Sequence, residues 1–586
     1  MTQEILLNIL IVVILFISSF GIGNIVNQYL KNRNSWIIVL GIGLGIHGFL
    51  IYFFGLLHLL NIYTISIILG FGFLLFFIKI KFNRIKLPKI KIFEFFLLFI
   101  IGLILFMFVI NTLAPAIKFD DTWYHLTEVK MYLLEGKIRA FLPPAQLGQS
   151  SITPRLVDML YAFPLAFLPN SSVGAKIIHM LLGVGALVVV FEIGKLLFNK
   201  RTGLISSLIL STIPIFGWLA QTAYIDLGVI FYVCLTFLLY VKWRFREKTN
   251  LFLLALLLGF ALSTKLWIIG FWLVLLVDAL VAKKKIKEIL FIFCGSFLIL
   301  MPWLLESFYW TGNPIFPLFS GGDQSGFLGG ANTIWEWLLK IYWVKLIPTL
   351  EDVMTHSLPW LLLLPLLIFT LRHQTKIKLW LLTIGLILIL MWAVIPWRDD
   401  RFLVPFSMPL IILVAAIIEQ ITAKNKFYLL SFIPLIGLII FQLIALASRS
   451  AMYYSVISNQ TAKNDFMAEK VAKNIWGCYD NEGKIKKLVL PSGKKTLVFC
   501  HNMFYLDFPF DDSFDAIPKT SYSSSKDFVS FLHQHNYDFV LFKLPVYPEG
   551  ELAKLINVNL PENFFSDNFK LLYDGKENGL KLYEIL

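Results

Sequence analysis

EFFLLFIIGLILFMFVINTL (residues 94–113) runs directly into APAIKFDDTWYHL (114–126). The first stretch carries a single charge, at its start, and is long enough to cross the hydrocarbon core of a bilayer as a helix. The second places two adjacent carboxylates, Asp120 and Asp121, just beyond the end of that span. Ionised neighbours at a membrane boundary lose solvation and repel each other, so the pair is costly unless a cation, a substrate hydroxyl or a proton compensates it. The ordinary role of such an Asp is to cap a helix, here the one predicted over Thr122–Leu134. Capping and chemistry are compatible.

Composition sets the class. In 586 residues, 58% hydrophobic content, 15% charge and a mean hydropathy of +0.76 exclude a soluble globular chain and specify a polytopic α-helical membrane protein. The formal charge of +14 does not point to nucleic acid, because the basic residues cluster in short loops between apolar runs. The first run, from Ile5, lacks a basic flank and a small-residue cleavage site, and is expected to be a retained span. Cys234 and Cys294 lie in apolar runs as packing residues. Cys478 and Cys500 fall in the polar tail and can pair only if that tail is extracytoplasmic.

Counting runs of suitable length gives about fourteen spans. The basic loops KNRN (31–34), KIKFNRIKLPKIK (79–91), NKR (199–201), KWRFREK (242–248), KKKIK (283–287), RHQTKIK (372–378) and KNK (424–426) then all fall on one side, which is read as cytoplasmic. Three parts follow: additional N-terminal spans (1–93), a membrane module (94–447) and a polar extracytoplasmic tail (448–586). The opposite face collects residues 114–172, 304–356, WRDDR (397–401) and the tail. Two amphipathic pieces, Thr122–Leu134 and Pro154–Leu168, are expected to lie along the membrane surface, and glycine-rich 304–330 to form a mobile loop. In the tail, strands are predicted at 496–500, 538–543, 569–575 and 580–586, and helices near 461–476 and 525–536. The result is a small α/β domain acting as a cap or an acceptor-docking module. Its histidines, His501, His533 and His535, have no metal-ligand spacing and are assigned surface or packing roles.

An outward span ending in an acidic pair, an interfacial helix carrying YHL, a distal GNPIFP loop and a late RFLVPFSMPL span together resemble the GT-C superfamily of polyprenyl-phosphate-dependent glycosyltransferases, whose members include protein O-mannosyltransferases and aminoarabinose transferases. The resemblance covers roughly residues 94–447. It implies transfer of a sugar from a polyprenyl-phosphate-linked donor to a cell-envelope lipid, glycan or protein, in a cell membrane such as a bacterial inner membrane, with the site on the extracytoplasmic face. It also implies that Asp120 or Asp121 is the base or a carboxylate holding a divalent cation. Two departures stand out: three apparent spans precede the one leading to the acidic loop, and the pair is Asp-Asp where Asp-Glu is frequent.

The chemistry of a lipid-phosphate leaving group independently calls for cations beside the carboxylates. Arg398 and Arg401 bracket Asp399 and Asp400, and an arginine fork suits phosphate oxygens; a surface ion-pair cluster or lipid anchoring is the plainer role. Lys265, in LSTKLW, has little polar sequence around it and is expensive at membrane depth unless it pairs or snorkels. Tyr224 and Asp226, in the turn QTAYID, are expected to line the same cavity, while His125 either supplies a proton or hydrogen-bonds beside Asp121. A ligase or polymerase using a lipid pyrophosphate donor remains an alternative, as does, at lower weight, a transporter or flippase.

Overall fold

The computed structural model describes the chain except residues 31–34, 80–89, 142–149, 246–248, 317–366, 368–374, 395–398, 425–427, 518–521, 523 and 549. Apolar runs become helices α1 (Thr2–Tyr29), α2 (Trp36–Leu56), α3 (Ile62–Lys79) and α4 (Ile92–Thr112). After the first external segment come α5 (Leu126–Glu135), α6 (Asp158–Phe167), α7 (Val173–Leu197), α8 (Lys200–Thr212), α9 (Pro214–Leu219), α10 (Asp226–Phe245), α11 (Leu251–Thr264), α12 (Ile269–Val281) and α13 (Ile286–Thr311). The last helices of the membrane module are α14 (Lys376–Val394), α15 (Asp400–Lys424) and α16 (Tyr428–Ile457). Among the described residues, eight helices (α1, α2, α4, α7, α10, α13, α15 and α16) are long and apolar enough to cross a membrane. Shorter apolar helices run at Ile62–Ile78, Asp158–Phe167, Leu251–Thr264 and Leu266–Val281. The expected count of about fourteen falls partly on undescribed residues, as does most of the predicted loop 304–356.

Burial sorts these helices by their surroundings. α10 and α15 are apolar on every side and almost wholly covered, as a helix at the centre of a bundle must be. α4 and α16 instead present Phe99, Phe106, Ile440 and Ile444 outward, the pattern of a lipid-facing surface. The N-terminal helices join this core: α1 packs on α2, α3 and α7, and α2 packs on α6. The α1–α2 crossing depends on glycine, since a Cβ on Gly43 would stand 1.7 Å from the Ser19 carbonyl oxygen. Such small-residue contacts let membrane helices approach through van der Waals packing.

The amphipathic pieces differ from expectation. Asp121–His125 forms one turn of π-helix before α5, and the second helix begins at Asp158, not Pro154. Neither lies open on a surface, because seven of the ten residues of α5 and eight of the ten of α6 are buried. Arg155, just before α6, anchors this layer. Its Nη2 lies 2.7 Å from Glu306 of α13 and its Nε 3.1 Å from Glu128 of α5. Tyr52 of α2 donates to Glu306 at 2.9 Å and Tyr132 to Glu128 at 2.6 Å. A buried guanidinium needs this many acceptors to offset its desolvation.

The tail folds as a five-stranded mixed sheet of β1 (Lys495–Phe499), β2 (Phe510–Asp512), β3 (Tyr537–Lys543), β4 (Phe569–Gly575) and β5 (Leu580–Ile585) in the order β2-β1-β3-β5-β4. β1 pairs parallel with β2 and β3, and β5 pairs antiparallel with β3 and β4. Sequence pattern located four of these strands. β2 escaped it because three residues, two of them Asp, carry no alternation. Cys478 and Cys500 form a disulfide across 6.1 Å between Cα atoms.

The segment 500–515 lies across the first external layer. Lys130 of α5 donates to the Phe504 and Leu506 carbonyls at 2.8 Å each and to Asn170 at 2.6 Å, which uses all three ammonium hydrogens. Tyr505 donates to the Ala116 carbonyl at 2.9 Å, and Asn502 donates to Thr122 Oγ1 at 2.8 Å. Replacing Lys130 by Met would leave two buried carbonyls without donors and weaken this docking by about 1–3 kcal/mol. Amide hydrogen exchange of residues 500–510 in the purified protein should rise accordingly; unchanged protection would show that Lys130 is not the clamp.

Candidate active site

Two adjacent residues of the first external segment turn opposite ways. Asp120 stands at the N-cap of the π-turn but makes no capping hydrogen bond with its side chain. Its Oδ2 instead meets Arg401 Nη1 at 2.8 Å and accepts from the Tyr124 hydroxyl at 3.3 Å, so the ordinary capping role is not the one it plays. Asp121 is wholly buried; its Oδ1 accepts from the Ala223 amide at 2.7 Å, and its Oδ2 is buried without a hydrogen-bond partner. That bond ties the acidic loop to the turn ahead of α10.

The same turn carries Tyr224 and Asp226. The Tyr224 hydroxyl accepts from the Asp120 amide at 3.3 Å, its ring lies under the Arg401 guanidinium, and its carbonyl accepts from the Tyr161 hydroxyl. Asp226 opens α10, buried, with Oδ1 3.1 Å from Lys265 Nζ and Oδ2 3.9 Å from Arg401 Nη1. His179 of α7 holds this turn from below: Nδ1 lies 2.9 Å from the Thr222 carbonyl and Nε2 accepts from the Leu227 amide at 2.9 Å. Lys265 follows α11 as its C-cap residue and lies over the Phe402 ring. Arg401 belongs to the first turn of α15. Its Nε stands 2.9 Å from Asp399 Oδ2, close in distance but without the alignment of a hydrogen bond. One guanidinium therefore connects carboxylates from three separate segments of the chain.

Asp120, Asp121, Tyr224, Asp226, Lys265 and Arg401 are thus brought together, whereas Arg398 lies outside the described residues. His125 is placed differently from expectation: its Nδ1 lies 2.7 Å from Asp158, not beside Asp121, and its Nε2 is buried without a partner. Burial pulls the His125 imidazole down to about 3 and pushes the Asp158 carboxyl well up, so the pair is held near neutrality. Asp158 was missed because one acid within an amphipathic run reads as its polar face. His501 was assigned to surface or packing. It packs against Phe119, Trp123 and Trp476, with ring centroids 4.8, 4.8 and 5.2 Å away, beside the acidic loop. Sequence gave no sign of this, since the contacts span two distant regions.

A divalent cation held jointly by Asp120 and Asp121 needs both carboxylates at one point. As arranged they diverge, and Arg401 already links Asp120 with Asp226. No group of three or more His, Cys, Asp or Glu side chains is arranged to hold a metal among the described residues.

Burial pushes the Asp121 carboxyl up to about 7, opposed first by the Lys176 charge and then by the Ala223 amide. Because the folded value is raised, the stabilisation from neutral Asp121 is complete below about pH 4 and is lost as pH rises through about 7. Asp121→Asn keeps an acceptor for Ala223 but cannot ionise. In thermal unfolding in detergent, the wild type should lose ground to this variant between pH 4 and 8. A gap independent of pH would show that Asp121 is not the titrating group.

Residues 153–307 match the dolichyl-phosphate-mannose-protein mannosyltransferase family. The sequence matches no curated protein. In fold, the chain is similar to the crystal structure of ArnT from Cupriavidus metallidurans bound to undecaprenyl phosphate, at 13% identity and TM-score 0.51, over 84% of this chain and 98% of that one. It also aligns with the oligosaccharyltransferase AglB from Archaeoglobus fulgidus, in complex with an inhibitory peptide and a dolichol-phosphate, at 12% identity and TM-score 0.41, over 83% of this chain and 74% of that one. The mannosyltransferase match thus covers the middle of the chain, and the similarity of fold to ArnT extends over most of its length.

Proposed function

We propose that this protein transfers a sugar from a polyprenyl-phosphate-linked donor to a lipid, glycan or protein acceptor of the cell envelope, on the extracytoplasmic face of a bacterial inner membrane. The observation that carries this reading is the junction of Arg401 with Asp120 and Asp226, flanked by Lys265. It sets a carboxylate able to take a proton next to cations able to receive a leaving phosphate. The ArnT-like fold supports it, that protein's structure containing undecaprenyl phosphate. The face is supported by seven basic loops on the opposite side and by a disulfide in the tail, a bond that persists in oxidising compartments.

In this reading an acceptor hydroxyl attacks the anomeric carbon, the bond from that carbon to the phosphate oxygen breaks, and its electron pair leaves with the lipid phosphate. The hydroxyl proton passes to Asp120. Asp121 is the lesser candidate for that step, being fully enclosed with one oxygen committed to Ala223; it positions the Tyr224–Asp226 turn. Lys265 spends one donor on Asp226, and Arg401 Nη2 makes no hydrogen bond among the described residues, so both retain donors for phosphate oxygens. In a site of low dielectric, such donors stabilise developing charge far better than in water.

Turnover in detergent with a defined polyprenyl-phosphate sugar tests the assignment. Asp120→Asn should lower it by on the order of 10² or more, with near-normal expression. Lys265→Met and Arg401→Gln should reduce turnover more than membrane insertion. Arg401→Lys should also be damaging, because a point charge cannot span two carboxylates as a fork does. Wild-type turnover in Asp120→Asn would remove the base from this scheme.

The face is tested separately by cysteine labelling of intact cells. A cysteine at Gly550 should react with an impermeant reagent and one at Lys284 should not. The reverse pattern would put the site on the cytoplasmic side.

A further inference from the structure

Arg401 and Lys265 are balanced by carboxylates, but two cations on the Asp121 side of the acidic pair are not. Lys118, two residues before Asp120, lies 5.8 Å from the centroid of the Trp218 ring and has no ion pair among the described residues. Arg449, near the outward end of α16, has Nη1 buried without a hydrogen-bond partner and likewise no ion pair among the described residues. The two converge on α9: Lys118 stands over its Trp218, α9 packs on α16, which carries Arg449, and burial first, then the Arg449 charge, pull the Lys118 ammonium below its ordinary value, with Asp121 opposing. Lys176, whose charge is the strongest opposing burial at Asp121, donates to the Ala114 and Asn111 carbonyls at 2.6 and 3.3 Å.

Position says what kind of anion arrives. Arg449 sits where α16 meets the end of α4: Asn111 donates to the Leu446 carbonyl at 3.4 Å and accepts from Ser450 at 2.8 Å. Both helices are otherwise lined by outward-facing Phe and Ile side chains. A charged group at their outer end is therefore reached laterally, along a lipid-facing edge. A guanidinium nitrogen sealed from water without an acceptor is expensive, and a second cation beside it raises the cost. Arg with Lys is the pair best matched to phosphate oxygens.

We propose that Lys118 and Arg449 form a second anion site, separate from Arg401 and Lys265, that receives the phosphate of a lipid entering along the α4–α16 edge. Two sources share that chemistry: a polyprenyl phosphate and the headgroup of an anionic glycerophospholipid. The site does not depend on the transfer reaction, and its test reads binding, so loss of the proposed activity would leave the result interpretable.

Native mass spectrometry of the full chain in detergent, titrated with a bare polyprenyl phosphate or with phosphatidylglycerol, measures it. Lys118→Met and Arg449→Gln should each weaken one bound lipid about tenfold, as loss of one charge-assisted hydrogen bond does. Arg401→Gln should leave that lipid in place. Weakening confined to polyprenyl phosphate assigns the site to that lipid, and weakening confined to phosphatidylglycerol assigns it to bulk headgroups; weakening of both makes it a general phosphate site. Unchanged affinity for both probes, or loss of the same lipid in Arg401→Gln, overturns the proposal. Should Arg449→Gln fail to fold, Lys118→Met lies outside the helices and carries the same test.

Discussion

The candidate site is organised around the charge of Arg401. Its guanidinium meets Asp120 from the first external segment, Asp226 from the start of α10 and Asp399 from the approach to α15, parts of the chain that are far apart in sequence. An arginine so enclosed needs its acceptors, because removing water from a guanidinium costs more than any single carboxylate returns. The acidic loop, the turn before α10 and the head of α15 are thereby held to one point. Lys265 adds a second cation to Asp226 and extends the constraint to the end of α11.

A second buried cation, Arg155, does the corresponding work one layer away. By joining Glu128 of α5 to Glu306 of α13, with Tyr52 and Tyr132 completing the shell, it locks the external helices onto the spans. The tail then closes over these helices through Lys130, Asn502 and Tyr505. Its nearest aromatic and imidazole groups, Trp476 and His501, end up against Phe119, immediately beside Asp120. The polar domain is therefore a wall of the candidate site.

Local chemistry was legible where one signal dominated its window. Runs of Leu, Ile and Phe such as 94–113 have no alternative to a helix in or against lipid, since every backbone amide must be bonded inside the segment. Four tail strands were visible through alternation, while β2 was too short to show it. The acidic pair and the isolated Lys265 stood out because an ionisable group beside an apolar run is costly without a partner.

Sequence by itself thus determined that the chain is a multi-span membrane protein with an α/β tail, and that Asp120, Asp121, Asp226, Lys265 and Arg401 are charged groups needing compensation. Only the tertiary structure decided how they are compensated. It set Asp120 on Arg401, turned Asp121 away to Ala223, gave His125 to Asp158 and brought His501 to the acidic loop. The reason is physical: hydropathy is a property of a window of neighbours, whereas a charge is neutralised by whichever opposite charge or dipole lies within a few ångströms, and which one that is depends on how helices distant in sequence pack.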